Sequence, residues 1–193
     1  KSRYTVGIIT NGETAETKEE DRIPPFVIEN GKAMDRKFHW KSYLPQLKSG
    51  DVFIKGGNAV DHTGLAAVLA GNDMGGTIGA AWGPLMQRGI ELIVPIGLEK
   101  LIPDVREAVE FLSGHSADEA IGDKVGLMPL LGAKTVTEIT AFDILYQVNA
   151  KCIAAGGVGG SEGAVVLVAE GEEEKVKKAL EGIKALKGEP QVR

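Results

Sequence analysis

The stretch from Asp51 to Asp104 reads DVFIKGGNAVD, then HTGLAAVLAGNDMGGTIGAAWGPLMQRG, then IELIVPIGLEKLIPD, and it decides the fold. Asp51 to Lys55 is a short apolar run that exits into Gly56-Gly57-Asn58, a strand followed by a glycine loop. Val60 to Gly71 contains LAAVLAG, which reads as a helix with one small-residue face, capped by Asp61-His62-Thr63. Gly75-Gly76-Thr77 precedes a second helical segment over Ile78 to Arg88. Glu91 to Gly97 is a central strand, although its Pro95 also suits an edge or a bulge, and its exit loop is Gly97-Leu98-Glu99-Lys100. Strands alternating with helical crossovers specify an α/β fold with an open, mostly parallel sheet. In such sheets ligands sit just beyond the carboxyl ends of the strands.

Working outward, Tyr4 to Thr10 reads as a strand with a turn at Asn11 to Thr14, placing Glu13, Thr14 or Thr17 near a ligand or in a solvated loop. Phe26 to Glu29 and Lys32 to Asp35 flank Asn30-Gly31, the signature of a type I′ hairpin. Phe38 to Leu47 is semi-apolar, either a short helix or a docking segment. Pro103-Asp104 opens a helix through Ser113 with Val105, Ala108, Val109 and Leu112 as its apolar stripe. After a polar linker (Gly114 to Lys124) the pattern changes. Val125 to Leu131 is strand-like, and Val136 to Asn149 is helical with Ile139, Phe142, Leu145, Tyr146 and Val148 inward. Lys151 to Ala155 and Ala164 to Ala169 are strands around GGVGGSEG. Glu172 to Lys187 is an amphipathic helix with Val176, Ala179, Leu180 and Ile183 on one face, and Glu189 to Arg193 is a last strand. That order is ferredoxin-like. The expected division is an α/β ligand-binding portion over residues 1–122 and a ferredoxin-like α+β portion over 123–193.

Composition narrows the function classes. Among 193 residues, 43% are hydrophobic and 25% charged, so the chain can bury a sizeable core. The net charge of −5 opposes a role in nucleic-acid binding, which needs a basic surface. Cys152 is the sole cysteine, which excludes an intramolecular disulfide and fits a reducing compartment. No apolar run approaches the ~20 residues of a membrane helix, and the opening KSRYTVGIIT carries no hydrophobic signal core. The expectation is a cytoplasmic protein with no membrane and no nucleic-acid partner. AVVLVAEG beside a glycine loop, together with Trp40, Tyr43 and Trp82, points to a homo-oligomer.

The candidate site follows from the strand exits. Lys55, Gly56, Gly57, Asn58 and Asp61 form one loop, Gly75, Gly76 and Thr77 a second at a helix start, and Glu99 with Lys100 a third. Two lysines and free helical N–H groups suit an anion, so the expected partner is a small anionic metabolite and the three loops are expected to share one cleft. The alternative is that the glycines only permit tight turns and the lysines are solvated. The second loop is not a phosphate-binding Walker loop, because the Gly-Lys-Ser/Thr ending is absent. One His62 beside Asp61 falls short of the three or four ligands of a metal site, and no cofactor is specified.

DVFIKGGNAVD resembles the strand and loop of the NagB/RpiA/CoA-transferase-like superfamily, in particular the aspartate-rich motif of ribose-5-phosphate isomerases. GGTIGAAWG followed by LIVPIGLEKLIPDVREA is similar to segments of the lactate-utilisation (LUD) branch of that superfamily. The resemblance covers roughly residues 50 to 110 and implies an open α/β sheet of that type; the ferredoxin-like module resembles the isomerases' second subdomain. The chain departs where chemistry resides. Lys55 and Asn58 stand at the two motif aspartates, Ala59 at the following glutamate, and only Asp61 matches. Aldose–ketose isomerisation needs a base between adjacent carbons, so that activity is rejected. The CoA-transferase branch implies an attacking glutamate, for which Glu99 and Glu138 are the candidates by position. Three readings remain: an enzyme using Glu13, Glu99 or Glu138 for proton transfer, a non-catalytic metabolite sensor, and an oligomeric assembly protein.

Overall fold

The computed structural model describes residues 7–35, 39–114 and 116–187. Tyr4 to Val6, Phe38 and the expected last strand Glu189 to Arg193 lie outside the described residues. At the centre are three parallel strands, β5 (Val52–Ile54), β8 (Glu91–Pro95) and β10 (Lys134–Val136), in the order β10-β8-β5. Val52 pairs with Glu91, and Ile93 with both Ile54 and Lys134. The expected central strand is therefore central, and Pro95 sits at its last position, where the ladder ends.

One face of this sheet is the core. Leu92 and Val94 of β8 meet Ile78, Ala81 and Leu85 of α1 (Gly76–Arg88), all nearly or fully buried. The 3-10 segment Trp40–Gln46 closes the same face, with the Trp40 ring 6.2 Å from Phe53. Arg88 at the end of α1 donates to the Leu44 carbonyl at 2.7 Å. The period-2 alternation sends Val52 and Ile54 to the opposite face, where Ile54 is 66% exposed. Parallel sheets are ordinarily covered on both faces; here the second face carries the Lys134–Glu91 ion pair and open apolar side chains.

A second sheet is antiparallel: β6 (Ala59–Val60), β7 (Ala66–Ala70) and β9 (Gly126–Pro129), in the order β6-β7-β9. The helix expected over Val60 to Gly71 is in fact β6, a tight turn and β7. Six apolar residues between Gly64 and Gly71 are too few for a stable helix. Flanking strands satisfy the β7 backbone, and the Asn58 Oδ1 accepts from the Leu69 N–H at 3.1 Å. Asp61 accordingly caps the turn instead of a helix following it.

The amino-terminal strand forms its own ribbon, β1 (Gly7–Thr10) with β2 (Glu13–Glu16), turning through Asn11 and Gly12 at positive φ. Thr14 ties this ribbon to the linker by donating to the Asp123 carbonyl at 2.7 Å, so Glu13 and Thr14, read from the sequence as near a ligand or in a solvated loop, belong to a strand. The Asn30-Gly31 hairpin is present as β3 (Ile28–Glu29) and β4 (Lys32–Ala33), with both turn residues at positive φ. The helix after Pro103 is α2 (Val105–Leu112), N-capped by Asp104.

In the carboxy-terminal part, β11 (Asn149–Ala155) and β12 (Val165–Glu170) are antiparallel neighbours. The helices α3 (Glu138–Tyr146) and α4 (Glu173–Leu186) pack against them through Phe142, Val148, Ala150 and Ala179. A Cβ on Gly182 would meet the Tyr146 hydroxyl, so this glycine admits the ring between the helices. The ferredoxin-like order is not completed as one sheet. The strand within Val125 to Leu131 is β9, which pairs with β7, and the unforeseen β10 pairs with β8, so pairing crosses position 122. Leu145 and Leu180, expected inward, are 65% and 53% exposed, because each helix buries a narrow stripe against a two-stranded ribbon. Among the described residues no helix is long and apolar enough to cross a membrane.

Candidate functional site

Strands β5 and β8 run parallel, β8 continuing two residues past the Ile54–Ile93 pair to Pro95, and their exit loops emerge at the same carboxyl edge. Lys55 is the first residue past β5, and its N–H still donates to the Ile93 carbonyl at 3.0 Å, which fixes where its side chain starts. Its Nζ donates to the Gly56 carbonyl at 3.1 Å. Lys100 ends the 3-10 turn Leu98–Lys100, and its Nζ donates to the Gly57 carbonyl at 3.2 Å. Two ammonium groups from neighbouring loops are thus anchored on consecutive carbonyls. Gly57 packs against the strands behind this loop: a Cβ there would lie 2.8 Å from Ile96 Cδ1 and 3.2 Å from the Ala67 carbonyl oxygen.

The electrostatics are one-sided. Partial burial holds the Lys55 pKa below the ordinary 10.5, and the nearby Lys100 charge lowers it further. Glu99 is 3.9 Å from Lys100, but both side chains are about two-fifths exposed, so solvent screens the pair. Glu138, in the first turn of α3, accepts from the Leu98 N–H at 2.9 Å. That carboxylate braces the loop carrying Glu99 and Lys100.

Asp61 lies elsewhere in this economy of contacts. It is 5% exposed and is the one buried charged residue among those described. Oδ1 accepts from the Thr63 N–H at 2.8 Å, the Thr63 hydroxyl at 2.6 Å and the Leu65 N–H at 3.2 Å; Oδ2 accepts from the Val105 N–H at 3.0 Å. Burial pushes its pKa up, but these hydrogen bonds outweigh it and hold the carboxyl below its ordinary value. Asp61 fastens the β6–β7 turn to the start of α2. Asn58 likewise holds β7, through the bonds already described and its N–H to the Ala67 carbonyl at 2.8 Å.

Of the three loops, the structure joins two. Gly75, Gly76 and Thr77 do begin α1, with both glycines at positive φ, but Gly75 faces Met128 of β9 and Gly79 of its own helix. The two cavities described, of about 530 Å3 beside Ile139 and Asn149 and about 110 Å3 beside Arg106 and Pro129, include none of Lys55, Thr77 and Glu99. A segment without a role in the sequence reading does reach the lysines' edge. The GGVGGSEG loop joins β11 to β12, and a Cβ on Gly163 would lie 3.5 Å from Glu99 Cβ. Its glycine density was the available signal; its partner could not be read before the pairing of the two halves was known. Among the described residues, no group of three or more His, Cys, Asp or Glu could hold a metal ion.

No family model, no curated protein and no solved structure matches this chain.

Proposed function

We propose that this chain binds a small anionic metabolite, bearing a phosphate or a carboxylate, between Lys55 and Lys100. The observation that carries this reading is the pair of ammonium groups held on the Gly56 and Gly57 carbonyls at the carboxyl edge of the parallel sheet. Bringing two cations together and partly desolvating one is unfavourable without a counter-charge, and a bound anion supplies it. The resemblance of residues 50 to 110 to the NagB/RpiA/CoA-transferase-like superfamily supports the same reading, since phosphorylated sugars and acyl-CoA thioesters are anions. For any conversion of the ligand, Glu99 is the nearby carboxylate open to solvent, while Glu138 is engaged at Leu98.

The test is a thermal-shift panel of phosphosugars, acyl-CoAs and small carboxylates, because a ligand specific for the folded state stabilises it by mass action. Lys55→Ala and Lys100→Ala should each weaken a confirmed anion more than about tenfold, or ~1.4 kcal/mol. Unchanged affinity in both variants refutes the site.

A second reading, self-association, is favoured by the uncovered face of the parallel sheet, where Val52 and Ile54 are exposed, and by exposed Val166 and Val168 on β12. Light scattering at micromolar concentration tests it, and a clean monomer mass rejects it.

A further inference from the structure

We propose that Lys55 is a covalent nucleophile, its amine condensing with the carbonyl of a small aldehyde or ketone whose carboxylate or phosphate is held by Lys100. This rests on the anion-site reading above and names the substrate class of that same site.

An amine attacks a carbonyl only through its neutral form, and a solvated lysine is almost wholly ammonium at neutral pH. Lys55 differs from a solvated lysine in three ways that the structure shows. Its backbone is locked to β8 through the Ile93 carbonyl, so the side chain starts from a fixed point. The side chain is partly buried, with Nζ on the Gly56 carbonyl. The second lysine is anchored on the next carbonyl, Gly57, and after burial its charge is the second influence that lowers the Lys55 pKa. Both burial and that repulsion favour the neutral amine, a known route to an activated lysine. The charged group acting on it is Lys100 of the Leu98–Lys100 turn, and the acids of the neighbouring elements are engaged elsewhere. Glu99 lies beside Lys100, and Glu138 is bonded to Leu98 N–H. The division of labour is then chemical: Lys100, more exposed and with an ion-pair partner, holds the anion, while Lys55 provides the lone pair.

The step balances without a redox partner. The Lys55 nitrogen adds to the carbonyl carbon, and a proton shift from nitrogen to oxygen gives the neutral carbinolamine. Its hydroxyl takes a proton from solvent and leaves as water, giving a protonated imine. Net, one carbonyl, one neutral amine and one proton become one iminium ion and one water.

The experiment uses glyoxylate, an aldehyde bearing a carboxylate, with cyanoborohydride to reduce the imine, followed by peptide mapping. Butanal serves as the uncharged control. Oxalate, a carboxylate with no reactive aldehyde, is titrated in parallel by thermal shift. Lys55 should be the most heavily labelled lysine on the peptide map, since a pKa held below the ordinary 10.5 raises its share of free amine above that of the exposed lysines. The preference should shrink with butanal. Lys100→Met should slow Lys55 labelling at neutral pH, and Lys55→Gln should remove that labelled peptide while leaving the fold intact by circular dichroism. Oxalate stabilisation with even labelling across the surface lysines overturns the nucleophile and leaves the anion site standing. Selective Lys55 labelling without oxalate stabilisation, and equally fast with butanal, overturns the role of Lys100 and with it this proposal. Neither labelling nor stabilisation overturns both readings.

Discussion

Replacing Asp61 by Ala tests whether this acid serves the fold. Four hydrogen bonds end on its carboxylate, from the Thr63 N–H and hydroxyl, the Leu65 N–H and the Val105 N–H. Hydrogen bonds to a charged group contribute about 1.5–3 kcal/mol each, but they are not additive here because they share one acceptor. The hydroxyl can turn to water. The Val105 N–H cannot, because Val105 is fully buried and its amide is one of the orphan donors of the first turn of α2. One stranded buried donor plus the lost turn gives a destabilisation of about 3–4 kcal/mol. For a chain of this size that lowers Tm by about 6–16 °C, at 2–4 °C per kcal/mol. Asp61→Asn keeps one oxygen and should retain part of this. The pH dependence has a definite sign. The folded pKa lies below the unfolded 3.8, so Asp61's contribution is fully present above that value and lost as pH falls through the folded pKa. Urea titrations of wild type and Asp61→Asn should therefore converge in acid. The neighbouring His62, exposed to solvent, provides the control. If His62→Ala costs as much as Asp61→Ala, or the latter costs under about 1 kcal/mol, the bracing role is wrong.

Three further outcomes are expected. Gly57→Ala should lower stability by about 1–3 kcal/mol through overpacking against Ile96 and the Ala67 carbonyl; Gly56→Ala, whose Cβ would meet only the Pro95 carbonyl oxygen at 3.9 Å, should be near neutral in the same thermal melts. Because the folded pKa of Lys55 is depressed, the unfolded chain binds more protons just below 10.5, so wild-type stability should climb as pH rises through that window; denaturant titrations should show the climb flattened in Lys55→Gln. Glu138→Ala should free the Leu98 N–H, speed its amide exchange and cost about 1–2 kcal/mol, with Glu138→Gln, which keeps an acceptor oxygen, much milder.

Legibility in the sequence followed the length of the signal. Glu91 to Gly97 was readable as a central strand because a run of branched apolar residues has few other homes. The Asn30-Gly31 turn was readable because both residues tolerate positive φ. LAAVLAG was misread because alanine and leucine favour helix and the run is too short for periodicity to decide; the cross-strand partners in β6 and β9 decide it. β10 is three residues long and pairs across more than forty positions, a contact with no local trace. For the site, Lys55 and Lys100 were accessible from their positions after apolar strands. The different fates of the acids were not, since Asp61 and Glu138 are tied to Val105 and Leu98, partners some forty residues away.

That separation of acids from cations bears on what the site can bind. Glu138 points one oxygen at a loop amide, and Asp61 is enclosed by its own four donors, so neither neutralises the lysine pair. Among the described residues, Glu99 is the carboxylate paired with Lys100, at 3.9 Å and screened by water. Burial first and the Lys100 charge second lower the Lys55 pKa, and converting either lysine to a neutral side chain would relieve the repulsion, so on stability alone the pair is unfavourable. Groups kept in an unfavourable charge state by their surroundings cluster where a protein meets its ligand. Lys55→Gln and Lys100→Met should accordingly match or exceed wild type in denaturant midpoint at neutral pH while losing anion affinity. A drop in stability of more than about 1 kcal/mol in both would mean that the lysines' bonds to Gly56 and Gly57 hold the fold together, and would remove the reason for assigning them to a ligand.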